Sequence, residues 1–95
     1  MDLHLTIAGL VQGVGYRQWL RRAAMAGGVK GWTRNRADGT VETVVSGATP
    51  DVERLVAAAM NGPLGAKVDR IDKRDAAEAD RAAVPVEGFV ILPTV

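Results

Sequence analysis

The sequence of 95 residues contains no cysteine, one histidine and one serine. The absence of cysteine excludes disulfides, thiolate catalysis and metal sites built on cysteine. The lone histidine, His4, lies at the frayed start of a predicted strand, and the lone serine, Ser46, lacks the flanking residues of a nucleophile elbow. A Ser-His triad or a His-based zinc site therefore finds no support in this chain.

The chain also lacks an excess of charge and any long apolar run. Its 12 basic and 11 acidic side chains give a net charge of +1, which does not support a general nucleic-acid or membrane binder. No apolar run approaches the ~18 residues of a membrane span, and residues 1–4 lack the basic start of a signal peptide. We therefore predict a cytoplasmic protein. The length, with 47% hydrophobic and 24% charged residues, predicts one folded domain over residues 1–95.

Apolar residues recur with a period of two in some segments and with helical spacing in others, which predicts strands and helices. The predicted elements are, in order, strand 3–8, helix 16–25, strands 29–36 and 40–45 joined at the Asp38-Gly39 hairpin turn, a helix from Thr49 that ends at residues 61–63, strand 68–73 and strand 88–92.

This order is β-α-β-β-α-β with a short extra C-terminal strand. It predicts an α+β fold, a ferredoxin-like sandwich in which two helices cover one face of an antiparallel sheet. Residues 74–87 are rich in alanine and charge, have little apolar periodicity and are cut off by Pro85. We predict an exposed connection there with one helical turn. The fold alone does not predict an activity.

The segment GLVQGVGYR, residues 9–17, joins the first strand to the first helix and contains three glycines followed by Arg17. Glycines allow backbone N–H groups to point at one spot, and a helix N-terminus adds unpaired N–H groups and a positive dipole end. The planar fork of an arginine matches two phosphate oxygens. These features predict a phosphate-binding loop. The glycines alone also fit a simple strand-to-helix connection.

The two predicted helix starts differ in charge. The second helix has Thr49 as its predicted N-cap, Pro50 at its first position, and Asp51 and Glu53 in its first turn, all of which favour a helix N-terminus. The first helix has no acidic residue within 16–25, and Arg17 lies near its positive end, which is unfavourable by roughly 0.3–1 kcal/mol. A bound anion would make this arrangement favourable, so the contrast favours an anion site.

Several motifs resemble those of the acylphosphatase family in order and spacing. They are VQGVGYR at 11–17, GWTRN at 31–35, DGTVE at 38–42 and Gly62-Pro63, and the resemblance runs from the first strand to residues 88–91. The resemblance implies a ferredoxin-like fold. It also implies hydrolysis of the carboxyl-phosphate bond of acyl phosphates to a carboxylate and inorganic phosphate, without a metal or cofactor.

The resemblance also implies roles for individual residues. Arg17 corresponds to the phosphate-binding arginine and Asn35 to the water-positioning asparagine, and both are therefore candidate catalytic residues. The implied substrate-binding loop, with backbone N–H groups as donors, consists of Val11, Gln12, Gly13, Val14, Gly15 and Tyr16. Gly15 stands where many members carry a larger side chain.

The implied partners are a small acyl phosphate as substrate and inorganic phosphate as product and competitive inhibitor. The resemblance implies no nucleic acid, membrane or metal ion as a partner. We expect a monomer, since the domain is small.

Taken singly, these residues also fit structural roles. Asn35 fits a residue that flanks the hairpin turn, where asparagine is common, and Arg17 fits a solvated helix residue. We predict that Arg21 and Arg22 are surface charges and that Tyr16 packs its ring in the core.

Two other functions compete with hydrolysis. An RNA-recognition module shares this strand-helix order, but it requires aromatic side chains on its two central strands. Here those strands are aliphatic, and Trp32 lies on another strand, where we predict that it packs in the core. A catalytically silent small-ligand or protein-interaction domain of the same fold is the second alternative. The presence of both Arg17 and Asn35 argues against it.

Overall fold

Five strands and three helices follow one another along the chain in a computed structural model that describes residues 1–95. They are β1 (Asp2–Leu10), α1 (Tyr16–Ala26), β2 (Lys30–Asn35), β3 (Val41–Ser46), α2 (Thr49–Ala59), β4 (Lys67–Asp75), α3 (Glu78–Ala82) and β5 (Phe89–Ile91). The predicted order of elements is confirmed. Within 74–87, β4 continues to Asp75, Ala76 is buried, and α3 has five residues, which is more than the single turn predicted for an exposed connection. None of the three helices has the length and apolar character that crossing a membrane requires.

The strands form a single sheet in the order β4-β1-β3-β2-β5. β1 pairs antiparallel with β3 and β4, and β2 pairs antiparallel with β3. This is the predicted ferredoxin-like sandwich. The short extra strand β5 pairs in parallel with β2, so the sheet is antiparallel except at this edge. β4 and β5 lie at opposite edges, and the chain between them, including α3, therefore crosses the width of the sheet.

The main core lies between the sheet and the helices α1 and α2. Alternation along the strands directs one set of side chains to this face, and α1 and α2 contribute apolar side chains at helical spacing. The buried members include Leu5 and Ile7 of β1, Val41 and Val45 of β3, Leu20 and Ala24 of α1, and Val52, Leu55 and Ala59 of α2. Tyr16, the first residue of α1, buries its ring in the same core, as predicted.

The opposite face of the sheet carries a second, small cluster. Trp32 packs there with Val44 and Ala76, and its indole N–H donates a 2.9 Å hydrogen bond to the carbonyl oxygen of Asp80 in α3. Trp32 is therefore buried as predicted, but against the segment that carries α3 and not against α1 and α2. The period-two alternation of β2 requires this, because its neighbours Gly31 and Thr33 face the helices.

The expectation that His4 lies at a frayed strand end is wrong. Only 4% of His4 is exposed, and its Nε2 lies 2.7 Å from Oε2 of Glu42 on β3. β1 is an interior strand, and His4 is paired with Arg74 on one side and with Val44 on the other. Pairing on both sides holds the beginning of β1 in the sheet.

The start of α2 also differs from the prediction. Thr49 is the first helical residue, and the extended residue before it, Ala48, occupies the N-cap position without a side-chain hydrogen bond. Thr49 as an N-cap is therefore wrong, and Pro50 is the second helical residue, not the first. Of the two acidic residues predicted for the first turn, Asp51 lies there and Glu53 does not. The charge contrast between the two helices remains, since the first turn of α1 contains no acidic residue.

Candidate functional site

The loop between β1 and α1 holds a set of unpaired backbone donors. Gly13 and Gly15 both adopt left-handed backbone conformations, with φ of 75° and 78°, which glycine reaches without the steric cost of a side chain. Gly15 occupies the N-cap position of α1 and supplies no side-chain cap. No backbone N–H from residue 12 to residue 18 donates a hydrogen bond within the protein. The loop and the helix N-terminus together therefore form a concentrated group of free donors, as an anion site requires.

A cavity of about 220 Å³ lies beside these donors. Its lining residues are Val11, Gly13, Gly15, Tyr16, Arg17, Gln18 and Ile91. The guanidinium of Arg17 forms no salt bridge and no side-chain hydrogen bond in the protein, whereas Arg34 and Arg74 are paired with carboxylates. Because Arg17 is a half-buried, unpaired cation at the positive end of a helix, an anion bound in this cavity would stabilise it.

Asn35 is the last residue of β2 and has an unusual hydrogen-bonding state. It is paired with Val41 of β3 and belongs to the set of β2 residues that faces the helices. Its Oδ1 is buried and is the one buried side-chain polar atom in the protein without a hydrogen-bond partner. Because buried polar atoms are normally satisfied, this acceptor points to a ligand or a water molecule.

Asn35 does not line the cavity, so the structure does not bring it into the same pocket wall as Arg17. The connection between them runs through β5. Ile91 lines the cavity and is paired with Thr33, which precedes Asn35 by two residues on the same face of β2. Asn35 therefore lies on the cavity side of the sheet, two residues beyond Thr33 along β2.

The loop residues predicted to bind substrate divide into two groups. Val11, Gly13, Gly15 and Tyr16 border the cavity, while the side chains of Gln12 and Val14 are directed elsewhere. The amide of Gln12 bonds to the β2–β3 hairpin, and Val14 packs against the main core. For these two residues only the backbone N–H is available to a ligand.

Tyr16 contributes its backbone, and its hydroxyl is already engaged. The hydroxyl donates a 2.8 Å hydrogen bond to the carbonyl oxygen of Ala59, and burial raises the pKa of Tyr16 above its ordinary value. A phenol with a raised pKa and a fixed acceptor does not serve as an acid or base near neutral pH.

Sequence reasoning missed two lining residues, Gln18 and Ile91. Gln18 follows Arg17 in the first turn of α1 and could have been found from that position alone. Ile91 could not, because its place depends on the parallel pairing of β5 with β2. Arg21 also differs from the surface charge that was predicted. It is half-buried, and its Nε donates a 3.0 Å hydrogen bond to the carbonyl oxygen of Phe89, which fastens β5 to α1.

A second polar cluster lies on the opposite face of the sheet. His4, Glu42 and Asp80 place one ligand atom each within 4.8 Å of one another. Both carboxylates are already bound by cations, Glu42 by Arg34 at 2.7 Å and Asp80 by Arg74 at 2.8 Å. These arginines neutralise the negative charge that would attract a metal ion, so the cluster is a structural ion-pair network.

The pKa of each carboxylate reflects these contacts. Burial acts to raise the pKa of Glu42, but the hydrogen bonds from His4 and Arg34 outweigh it and hold that pKa below its usual value. The hydrogen bond from Arg74 lowers the pKa of Asp80. Both side chains therefore remain ionised at neutral pH.

Comparison with known proteins finds relatives that match most of the chain. The acylphosphatase family model matches residues 3–91 of the chain. The acylphosphatase of Nitrobacter hamburgensis is 47% identical over 92 residues, covering 96% of this chain and 93% of the relative. That of an Acidovorax species is 51% identical over 77 residues, covering 81% of this chain and 79% of the relative.

Solved acylphosphatase structures share the fold. The Bacillus subtilis structure superposes with a TM-score of 0.81 at 29% identity, covering 96% of this chain and 97% of the other. The Coxiella burnetii structure superposes with a TM-score of 0.82 at 27% identity, covering 96% of this chain and 90% of the other.

Proposed function

This chain belongs to the acylphosphatase family, which hydrolyses acyl phosphates to a carboxylate and inorganic phosphate, and we propose the residues with which it does so. In this proposal the backbone donors of loop 11–16 and the guanidinium of Arg17 hold the phosphoryl group. Asn35 orients the attacking water. Each role is assigned from the state of the side chain or backbone group concerned.

The observation that carries the proposal is the coincidence of free donors at one cavity. The N–H groups from residue 12 to residue 18 have no partner in the protein, and the unpaired cation of Arg17 lies beside them. An acyl phosphate is a mixed anhydride with a good leaving group, so fixed donors that stabilise the phosphoryl oxygens supply most of the acceleration. Strong general-base catalysis is not required.

Asn35 suits the orientation of water because of its free acceptor. Its Oδ1 is buried without a partner and can accept a hydrogen bond from a water O–H. The amide does not titrate, so it cannot take the proton. In the proposed step the water oxygen bonds to phosphorus, and the bond from phosphorus to the acyl oxygen breaks. The electron pair leaves on the carboxylate, and the water proton passes to an oxygen of the phosphate.

The proposed mechanism uses no metal ion, and a single assay tests it. We expect the purified protein to hydrolyse benzoyl phosphate at the same rate with and without a metal chelator, with inorganic phosphate as a competitive inhibitor. Absence of turnover by folded protein would overturn the proposal in favour of a silent binding domain. Loss of activity on chelation would overturn the metal-free mechanism alone.

The proposal also carries over two expectations from the sequence, a monomer and a cytoplasmic location. Light scattering of the purified protein tests the first, since a mass of twice the 10.0 kDa chain would contradict it. Fractionation of the source cells tests the second.

A further inference from the structure

The side chain of Gln12 joins the loop to the β2–β3 hairpin. Its Nε2 donates two hydrogen bonds, one of 2.8 Å to the carbonyl oxygen of Arg36 and one of 2.9 Å to that of Thr40. Arg36 and Thr40 flank the hairpin turn and are themselves bonded, from the N–H of Arg36 to the carbonyl oxygen of Thr40. Gln12 therefore holds both ends of the turn that begins directly after Asn35.

These two bonds are the only hydrogen bonds between the loop and the hairpin. The ladder between β1 and β3 ends at the pair of Ile7 and Val41, and beyond it no other hydrogen bond links residues 11–15 to residues 35–41. The amide of Gln12 is therefore the only direct hydrogen-bonded link between the phosphate loop and the hairpin that follows Asn35.

The contact uses both donors of a primary amide. Both acceptors are carbonyl oxygens, and an NH₂ group offers two donors from one atom, which also settles the orientation of the amide. A glutamate at this position would be ionised and acceptor-only. It would face two carbonyl oxygens and would add a negative charge close to the phosphate loop.

We propose that Gln12 is a positioning residue for hydrolysis, an inference that rests on the proposed function. Its side chain sets the distance between the bound phosphoryl group and the water oriented by Asn35. It acts through the hairpin and not through contact with the substrate. Its side chain does not line the cavity, although its backbone N–H belongs to the loop. Loss of its side chain therefore affects the rate of the chemical step more than the affinity for phosphate.

The test compares kcat on benzoyl phosphate with the inhibition constant of inorganic phosphate in Gln12→Met. We expect kcat to fall about tenfold or more, as small misplacements of reacting groups do, and the inhibition constant to stay near the wild-type value. Equal losses in both would make Gln12 a phosphate-binding side chain and overturn the proposal. An unchanged kcat would overturn it as well.

A double-mutant cycle with Asn35→Ala separates this proposal from the proposed function. If Gln12 acts through Asn35, Gln12→Met has little further effect on kcat once Asn35 is replaced. Full additivity would overturn the positioning role. If Asn35→Ala alone stayed fully active, the role of Asn35 would fail first, whatever Gln12 does.

Two further variants control for folding. Val56→Ala truncates a core side chain of α2 in a groove formed with Met1 and Leu3, at the opposite end of β1 from the loop. We expect it to lower the unfolding midpoint without changing kcat, which separates loss of stability from loss of position. Gln12→Asn keeps both donors on a stem one methylene shorter, and it replaces Gln12→Met in the same test should that variant not fold.

Discussion

The hydroxyl of Tyr16 donates a 2.8 Å hydrogen bond to the carbonyl oxygen of Ala59, which joins the first residue of α1 to the last residue of α2. Carbonyl groups in the last turn of a helix lack intrahelical partners, so this bond satisfies an acceptor that is otherwise buried and unpaired. It also fixes the start of α1, where Arg17 and the free N–H groups lie. The same contact therefore contributes both to the stability of the protein and to the geometry of the site.

Replacing Tyr16 with phenylalanine tests that contact. Tyr16→Phe keeps the ring in the core but leaves the Ala59 carbonyl oxygen unsatisfied, so we expect the free energy of unfolding to fall by about 1–3 kcal/mol. Urea unfolding followed by tryptophan fluorescence measures the change. A midpoint equal to that of the wild type would show that the bond contributes nothing to stability.

Arg17 is expected to be essential for both binding and turnover. Arg17→Ala removes the unpaired guanidinium, and we expect kcat/KM for benzoyl phosphate to fall about 10²–10³-fold. We also expect the inhibition constant of phosphate to rise, because phosphate binds less tightly. Arg17→Lys keeps the charge without the planar fork and should recover only part of the loss.

The matched control for Arg17 is Arg22→Ala on the same helix. Arg22 is exposed and unpaired, so its loss should leave both constants unchanged. Arg21 is a poorer control, because its hydrogen bond to Phe89 fastens β5 beside the cavity. An Arg17→Ala variant as active as Arg22→Ala would contradict the role of Arg17.

Asn35 is expected to affect turnover without affecting phosphate binding. Asn35→Ala removes the free acceptor, and we expect kcat to fall about 10²-fold because the water loses its orientation. The inhibition constant of phosphate should remain near the wild-type value, since Arg17 and the loop donors are intact. Asn61→Ala, at an exposed asparagine after α2, is the control. Parallel losses of kcat and phosphate affinity would place Asn35 in phosphate binding instead.

Gly15 is expected to resist substitution for a backbone reason. It has φ of 78°, and a Cβ added there would meet no atom within 4 Å, so any cost comes from the left-handed conformation alone. We expect Gly15→Ala to lower the free energy of unfolding by about 1–2 kcal/mol. Gly15→Asn should cost less, because asparagine tolerates this conformation.

Gly47→Ala provides the comparison for Gly15, since Gly47 lacks a positive φ and a Cβ there would make only ordinary contacts from 3.7 Å. Thermal unfolding of the variants measures the order of stability. A Gly15→Ala variant as stable as Gly47→Ala would show that the loop relaxes to another conformation.

The parts of this molecule that were predictable from sequence are those that local chemistry specifies. The period of two in β1, the Asp38-Gly39 turn and the glycines before Arg17 each carry their own structural requirement, and together they give the order of elements. The motif resemblance added Asn35, whose role no local pattern supplied.

Several of the misses have a different cause, because they depend on contacts between distant segments. Ile91 reaches the cavity only through parallel pairing with β2, and His4 is buried only because β1 is paired on both sides. The direction of the Gln12 side chain depends likewise on two carbonyl groups of the hairpin, which are more than 20 residues away in sequence. Periodicity and turn chemistry contain no information on such pairings.

The ion pairs of Glu42 are expected to make stability depend on acid pH. Its pKa in the folded protein lies below the ordinary value of 4.5, because the hydrogen bonds from His4 and Arg34 outweigh the effect of burial. A lowered pKa means that the folded state binds protons less readily than the unfolded state. The stabilisation is therefore fully present above about pH 4.5 and is lost as the pH falls through the folded pKa.

Glu42→Gln measures this contribution when urea midpoints are compared with the wild type at neutral and acid pH. At neutral pH we expect a loss of about 2 kcal/mol, since glutamine removes the carboxylate charge and keeps only one of the two oxygens that face His4 and Arg34. The difference should shrink as the pH falls below about 4.5, where the wild type loses the same charge. Glu87→Gln, at an exposed loop residue, should show no difference at either pH. A difference for Glu42→Gln that stayed constant with pH would mean that packing at this position, and not the carboxylate charge, supports the fold.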